Sequence, residues 1–113
     1  MIRYPLSVIF LIFVLACTPP QRHLRERYVN DNPEMKPEIK DAILDGDVII
    51  GMTEYQVYAS WATPIFKGIT EYNGKKLNYW IYPDMKGSPF VNIYFSNKIV
   101  VEIEKTEIGP PPD

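Results

Sequence analysis

Hydrophobic and polar positions follow two different periods along this chain, and the change of period separates a helical half from a strand half. Ile39, Ala42 and Ile43 recur at the spacing of a helix, which predicts a first helix over Pro37 to Leu44. Proline suits the opening turn of this helix, and Gly46 supplies its end. The C-terminal half of the chain instead alternates with period two, which is typical of strands.

The segment "IIGMTEYQVYASWATP" (residues 49–64) predicts a second short helix with both of its ends specified. Thr53 and Gln56 have the spacing of a capping box, in which each side chain accepts a hydrogen bond from the other residue's backbone amide. Met52 precedes the cap and can pack on Val57 as a hydrophobic staple. Pro64 ends the helix, because the residue before a proline is disfavoured in helical geometry.

Three segments of strand length, rich in branched and aromatic residues, follow this helix: Lys76 to Tyr82, Phe90 to Ser96 and Ile99 to Lys105. Asn73-Gly74 is a strong turn signal and leaves open a further short strand near Lys67 to Glu71. The fold class is therefore α+β, with two short helices packed on a three-stranded antiparallel meander, an ααβββ two-layer sandwich.

The alternation also predicts which side chains face the helices. Two sets should point inward from the last two strands: Val91, Ile93 and Phe95, and Ile99, Val101 and Ile103. The first strand is ambiguous, since either Leu77, Tyr79 and Ile81 or Trp80 and Tyr82 point inward. Whichever set points outward lies beside Tyr94 and makes the open face unusually apolar.

The N-terminal segment "MIRYPLSVIFLIFVLAC" has one cation before an apolar run from Leu6 to Ala16. The run is too short to cross a bilayer, which takes about 20 residues, and it suits the apolar part of a secretory signal. Val14-Leu15-Ala16-Cys17 resembles the bacterial lipobox, which implies a signal peptide over residues 1–16, lipidation of the Cys17 sulfur and acylation of the new amino group. The alternative is an ordinary signal peptide or an anchor helix with an incidental cysteine.

Composition assigns the two ends of the mature chain to non-globular segments. Residues 17–32 hold the lipidated cysteine and a polar, charged stretch without apolar periodicity, which predicts an extended flexible tether. Arg22, Arg25 and Arg27 make this stretch locally basic, so it is either a solvated tether or a segment resting on anionic headgroups. Residues 33–107 form the α+β domain, and residues 108–113 are a disordered proline-rich tail.

Little in the sequence is typical of catalysis or of ion binding. The 113 residues have a formal net charge of −2, which argues against a nucleic-acid partner. His23, the sole histidine, lies in the predicted tether without ligands at metal spacing. The acidic residues Asp41, Asp45, Asp47 and Glu54 lack the pattern of a calcium loop, and a solvated acidic turn is the favoured interpretation. We therefore expect no enzyme, with no catalytic, cofactor-binding or metal-binding residue and no cofactor.

The segment 49–64, the strand "YWIY" and the hairpin "VNIYFSNKIVVEIE" together resemble the SmpA/OmlA family of bacterial outer-membrane lipoproteins, whose domain is called BamE-like. The matching positions are Gly51, Met52, Thr53, Gln56, Val57, Pro64, Trp80, Tyr82 and Phe95. Ala62 departs from the family pattern, which has glycine there, and the connector "DGDVII" is longer than in BamE itself. The resemblance favours Trp80 and Tyr82 inward, with Leu77, Tyr79, Ile81 and Tyr94 exposed.

The resemblance implies a non-enzymatic envelope lipoprotein, an adaptor or scaffold in outer-membrane protein assembly or envelope integrity. Its partners would be the membrane, through the lipid on Cys17, and an envelope protein. The exposed aromatic set with Tyr79 and Tyr94 is either the surface that binds this protein or a group of scattered, half-buried residues without a binding role. Thr18 in place of aspartate favours the outer membrane, on its periplasmic face; in a Gram-positive host the protein would lie on the cell-membrane surface. The alternative function is an inhibitor or ligand-sensing module of β-lactamase-inhibitory-protein-like layout, acting through "YPDMKGSP".

Overall fold

Three helices are followed by four strands in the part of the chain that the structure, a computed structural model, describes, namely residues 20–85 and 87–112. The elements are α1 (Pro20–Asp31), α2 (Pro37–Leu44), α3 (Glu54–Trp61), β1 (Phe66–Tyr72), β2 (Lys75–Pro83), β3 (Phe90–Ser96) and β4 (Ile99–Thr106). The predicted signal peptide and Cys17 lie outside the described residues. No helix within these residues is long and apolar enough to cross a membrane.

The α+β class is confirmed, but the predicted numbers of elements are each one too low. The sheet is antiparallel, has the order β1-β2-β3-β4, and contains four strands rather than three. The additional strand is β1, which the sequence left open. It turns into β2 through Asn73 and Gly74, whose φ angles of 52° and 77° are those of the tight turn that this dipeptide favours.

The additional helix is α1, so the prediction of an extended tether over residues 17–32 is wrong for residues 20–31. Val29 is buried in the core, and Tyr28 packs against it. The Arg25 guanidinium lies over Gly46, where an added Cβ would come within 2.9 Å of Nη1. The helix docks through so few side chains that its sequence carries no apolar periodicity, and its polar composition resembles that of a linker.

The predicted α2 and the predicted start of α3 are confirmed, whereas α3 ends at Trp61, three residues before Pro64. Helix α2 has the predicted bounds and buries Ile39, Ala42 and Ile43. At the start of α3 the Gln56 amide donates to Thr53 Oγ1 (3.2 Å), and the Thr53 amide donates to Gln56 Oε1 (2.8 Å). This reciprocal pair is the predicted capping box.

The end of α3 is fixed by side chains that donate to the backbone of other segments. Ser60 Oγ donates to the Asp47 carbonyl (2.6 Å), and Trp61 Nε1 donates to the Gly46 carbonyl (2.8 Å). The next residue, Ala62, has φ 64° and ψ −149°, a backbone conformation that is almost confined to glycine.

The helices cover one side of the sheet, called the inner face here. Trp80 and Tyr82 of β2 lie on it, as the resemblance favours, and both belong to the main hydrophobic cluster. Val91, Ile93 and Phe95 of β3 also point to this side and are almost fully buried, which confirms the prediction for that strand. The Tyr82 hydroxyl donates to the Ala62 carbonyl (2.7 Å) and so joins the sheet to the end of α3.

The predicted inward set of β4 is partly wrong, because the pairing of β3 with β4 shifts between Tyr94 and Phe95. Phe95 pairs with Val100, whereas Tyr94 pairs with Glu102, so one residue of β4 is bulged out of the register. Val100 is therefore the buried residue, while Ile99 and Val101 are partly exposed. Ile103, beyond the shift, packs against the core as predicted.

Candidate protein-docking face

The side of the sheet opposite the helices, called the outer face here, carries a row of aromatic side chains. The Tyr79 and Tyr94 rings are stacked with their centroids 5.9 Å apart and their planes at 28°. Phe66 extends the row on one side, 5.8 Å from Tyr79, and Tyr72 extends it on the other, 6.4 Å from Tyr94. Four rings from three neighbouring strands therefore form one continuous surface.

The strand register places these rings side by side. Tyr79 is the cross-strand partner of Tyr94 in β3 and of Gly68 in β1. Because Gly68 has no side chain, the Tyr79 ring lies over the β1 backbone, and an added Cβ would come within 2.9 Å of Tyr79 Cε1. The same Cβ would come within 2.7 Å of Phe66 Cε2. Gly68 is therefore required for the row of rings to close over β1.

The structure brings together Tyr79 and Tyr94, the two partner-binding candidates that the sequence singled out, and leaves both half-buried. The expectation that Leu77 and Ile81 are exposed beside them is wrong, since their exposed fractions are 6% and 2%. Ile81 lies between its cross-strand partners Phe66 and Asn92, which shield it. The outer face is thus partly packed by its own side chains.

Sequence reasoning missed Phe66 and Tyr72 as members of the aromatic row. Both lie on β1, which alternates between half-buried and exposed positions. Extending the period-two alternation backward from the Asn73-Gly74 turn would have placed both residues on the same side of the sheet as Tyr79. The available signal was therefore the turn together with the strand period.

A shallow depression of about 170 Å³ lies beside the aromatic row, lined by Tyr72, Leu77, Tyr94, Val101 and Glu102. Val101 reaches this side because of the β4 bulge. The Tyr94 hydroxyl donates to Glu104 Oε1 (3.1 Å). Burial raises the pKa of Tyr94 above its usual value, and the nearby Glu104 carboxylate adds to this effect. The depression is apolar at its base and acidic along the β4 side.

The loop between β2 and β3, which the inhibitor interpretation requires, is folded back on the domain. The Asp84 amide donates to the Pro89 carbonyl (2.8 Å), and the Ser88 amide donates to the Met85 carbonyl (3.0 Å). Met85 packs against the hydrophobic core.

The remaining candidates for chemistry lie apart from the outer face. His23 is on α1 rather than in a tether, and Cys17 lies outside the described residues. Within residues 20–85 and 87–112, no group of three or more His, Cys, Asp and Glu side chains could hold a metal ion.

Comparison with known proteins returned no similarity for this chain: no family model, no curated protein and no solved structure matches it.

Proposed function

We propose that this protein is a lipid-anchored envelope lipoprotein of the SmpA/OmlA type, without enzymatic activity, whose outer face binds another envelope protein. The single observation that supports this function most is the aromatic row of Phe66, Tyr79, Tyr94 and Tyr72 on the side of the sheet away from the helices. Aromatic residues are enriched in protein interfaces, where they bury large areas with few rotatable bonds.

The surroundings of the row suggest the chemistry of the partner. The depression beside Tyr94 can take one apolar side chain, since its base is formed by Leu77, Tyr72 and Val101. Glu102 and Glu104 lie on the β4 side of the row. A partner that presents an apolar side chain flanked by lysine or arginine would match both the shape and the charge.

The proposed location rests on the N-terminal sequence. A lipid on Cys17 would hold the domain at a membrane, and Thr18 favours the outer membrane of a Gram-negative host, on its periplasmic face. One acyl chain gives only marginal membrane binding, whereas two or three give a stable anchor. The adaptor would therefore act on partners that are in, or close to, the same membrane.

The test is partner capture from membranes with the outer face intact and altered. Full-length protein carrying a photo-crosslinking residue at Thr70, whose cross-strand partner Leu77 lies on the outer face, is expressed in its host and irradiated, and the crosslinked products are identified. The double variant Tyr79→Ser/Tyr94→Ser is expected to lose the main product. Ile69→Ser is the control, because Ile69 is 71% exposed and lies on β1 on the opposite side of the sheet from the aromatic row.

Two results would overturn the proposal. An unchanged crosslinked product with the Tyr79→Ser/Tyr94→Ser variant would remove the outer face as the binding surface. An unmodified Cys17 in the native protein, measured by mass spectrometry, together with a protein found in the soluble fraction, would remove the lipoprotein assignment. Circular dichroism of each variant establishes that a lost product reflects binding rather than unfolding.

A further inference from the structure

A second apolar surface lies on the helical side of the molecule, in a groove of about 310 Å³ between α1 and α3. The groove, called the α1–α3 groove here, is lined by Leu24, Tyr28, Tyr55, Tyr58, Ala59, Ser60 and Ala62. Leu24 is 61% exposed, Tyr55 80% and Tyr58 52%. These side chains are large, apolar along most of their length and open to solvent, so the groove is not part of the packed core.

The position of the groove along the chain is what identifies its occupant. Because α1 begins at Pro20, only two residues, Thr18 and Pro19, separate it from Cys17. The three chain steps from Cys17 to Pro20 span at most about 11 Å, and the four steps from Pro20 to Leu24 add about 6 Å of helix. The extended tether expected from the sequence would have allowed about 50 Å between Cys17 and the end of that segment. The helix thus holds Leu24 within about 17 Å of the lipidated residue.

We propose that the α1–α3 groove rests on the surface of the bilayer that holds the lipid anchor, with Leu24, Tyr55 and Tyr58 in the interfacial region. This inference rests on the proposed lipid anchor at Cys17. Tyrosine is enriched at membrane–water interfaces, because its ring is apolar and its hydroxyl remains hydrated. The outer face, on the other side of the domain, then points away from this membrane and stays open to a protein partner.

The charges on α1 fit a surface of lipid phosphates. The helix has three arginines against two acidic residues. Arg22 pairs with Glu26 (3.3 Å), whereas Arg27 is exposed and lies one turn from Leu24 on the helix. Each cation near an anionic surface adds to the attraction, and the lipid anchor keeps the helix within the range where this attraction acts.

The test measures the depth of single residues in the full-length lipidated protein. Cys17 is the only cysteine of the chain and would be blocked by its lipid, so one introduced thiol is unique. Nitroxide labels are placed at Tyr55→Cys and, as the matched control, at Tyr72→Cys, which is 53% exposed on the outer face. The proteins are reconstituted into phosphatidylcholine vesicles with and without phosphatidylserine, and collisions with oxygen and with a water-soluble nickel chelate are compared.

The label at position 55 is expected to collide several-fold more with oxygen than with nickel, and the label at position 72 should show the reverse. Equal accessibility to nickel at both positions, with Cys17 shown to be lipidated, would overturn the bilayer contact, leave the lipoprotein assignment standing and favour a protein occupant. A bare Cys17 and no vesicle association would overturn both. Greater protection of position 55 when phosphatidylserine is present would support the contribution of the arginines.

Discussion

The two faces of one strand differ more in what covers them than in how apolar they are. On β3, Ile93 and Phe95 point to the helices and are at most 1% exposed, whereas their neighbour Tyr94 points the other way and stays half-buried. Tyr94 nevertheless packs against two other aromatic rings, those of Tyr79 and Tyr72. The comparison shows that the inner face is covered by the helices and belongs to the core, whereas the outer face leaves aromatic side chains partly exposed to solvent.

The largest expected effect comes from a substitution that leaves a cavity in the inner face. Phe95→Ala should lower the free energy of unfolding by about 3–5 kcal/mol, because it leaves a cavity next to Trp80, whose ring centroid is 4.7 Å from that of Phe95. Urea denaturation followed by circular dichroism measures the loss. Tyr94→Ala, one residue away on the outer face, should cost about 1 kcal/mol. Similar losses for the two variants would contradict the difference between the faces.

A smaller effect is expected from the Tyr82 hydroxyl, whose hydrogen bond connects the inner face to the end of α3. Tyr82→Phe removes the donor to the Ala62 carbonyl and should lower the free energy of unfolding by about 1–2 kcal/mol, since a buried acceptor loses its partner. The matched change on the outer face, Tyr79→Phe, should stay within about 0.5 kcal/mol of the native protein. A neutral result for Tyr82→Phe in thermal and urea unfolding would show that this hydrogen bond is dispensable.

The pKa of Tyr82 leads to a prediction of how the free energy of unfolding depends on pH in the alkaline range. Burial raises the pKa of Tyr82 far above its usual value, and nearby Tyr58 adds to the effect. The unfolded chain loses this proton near pH 10, so the contribution of Tyr82 is complete below pH 10 and is lost as pH rises beyond it. Unfolding midpoints from pH 8 to 12 should fall less steeply for Tyr82→Phe than for the native protein. Parallel curves would contradict the assignment.

Ala62, whose carbonyl accepts this hydrogen bond, has a strained backbone. Replacing it with glycine should therefore raise the free energy of unfolding rather than lower it. Ala62 has φ 64°, a conformation available to glycine at little cost, so Ala62→Gly should raise the free energy of unfolding by about 1 kcal/mol. Ala59→Gly, inside α3, should instead lower it by about 1 kcal/mol. Destabilisation by both glycines would show that residue 62 is not strained in solution.

The elements that could be predicted from the sequence are those whose structure is determined by residues close together in the chain. Helix α3 was predictable because Thr53 and Gln56 form a local motif, and the inward set of β3 followed from simple alternation. Helix α1 was not predictable, since it is held by tertiary contacts of Val29, Tyr28 and Arg25 rather than by an apolar stripe. A β-bulge cannot be recognised from the alternation of apolar residues either. The bulge in β4 therefore places Val100 in the core, where alternation predicted Val101.

The candidate site was predictable in part for the same reason. Tyr79 and Tyr94 followed from alternation in β2 and β3, but Phe66 and Tyr72 required a strand that the sequence only left open. The stacking of the rings could not be predicted, because it depends on the register across β1, β2 and β3 and on Gly68 beneath Tyr79. Register is set by several strands together, so no single segment carries it.

The smallest expected effect is the coupling free energy between Tyr79 and Tyr94, which measures how much the aromatic row of the outer face contributes to folding. In a double-mutant cycle of Tyr79→Ala and Tyr94→Ala, the coupling should be about 0.5 kcal/mol, as for a cross-strand pair on a half-solvated face. Tyr79 paired with Tyr55, on α3, should show no coupling within error. A Tyr79–Tyr94 coupling above about 2 kcal/mol would mean that the rings are retained for stability, because it would exceed what such pairs contribute. A small coupling leaves binding as the reason that solvent-facing rings are aligned on three strands.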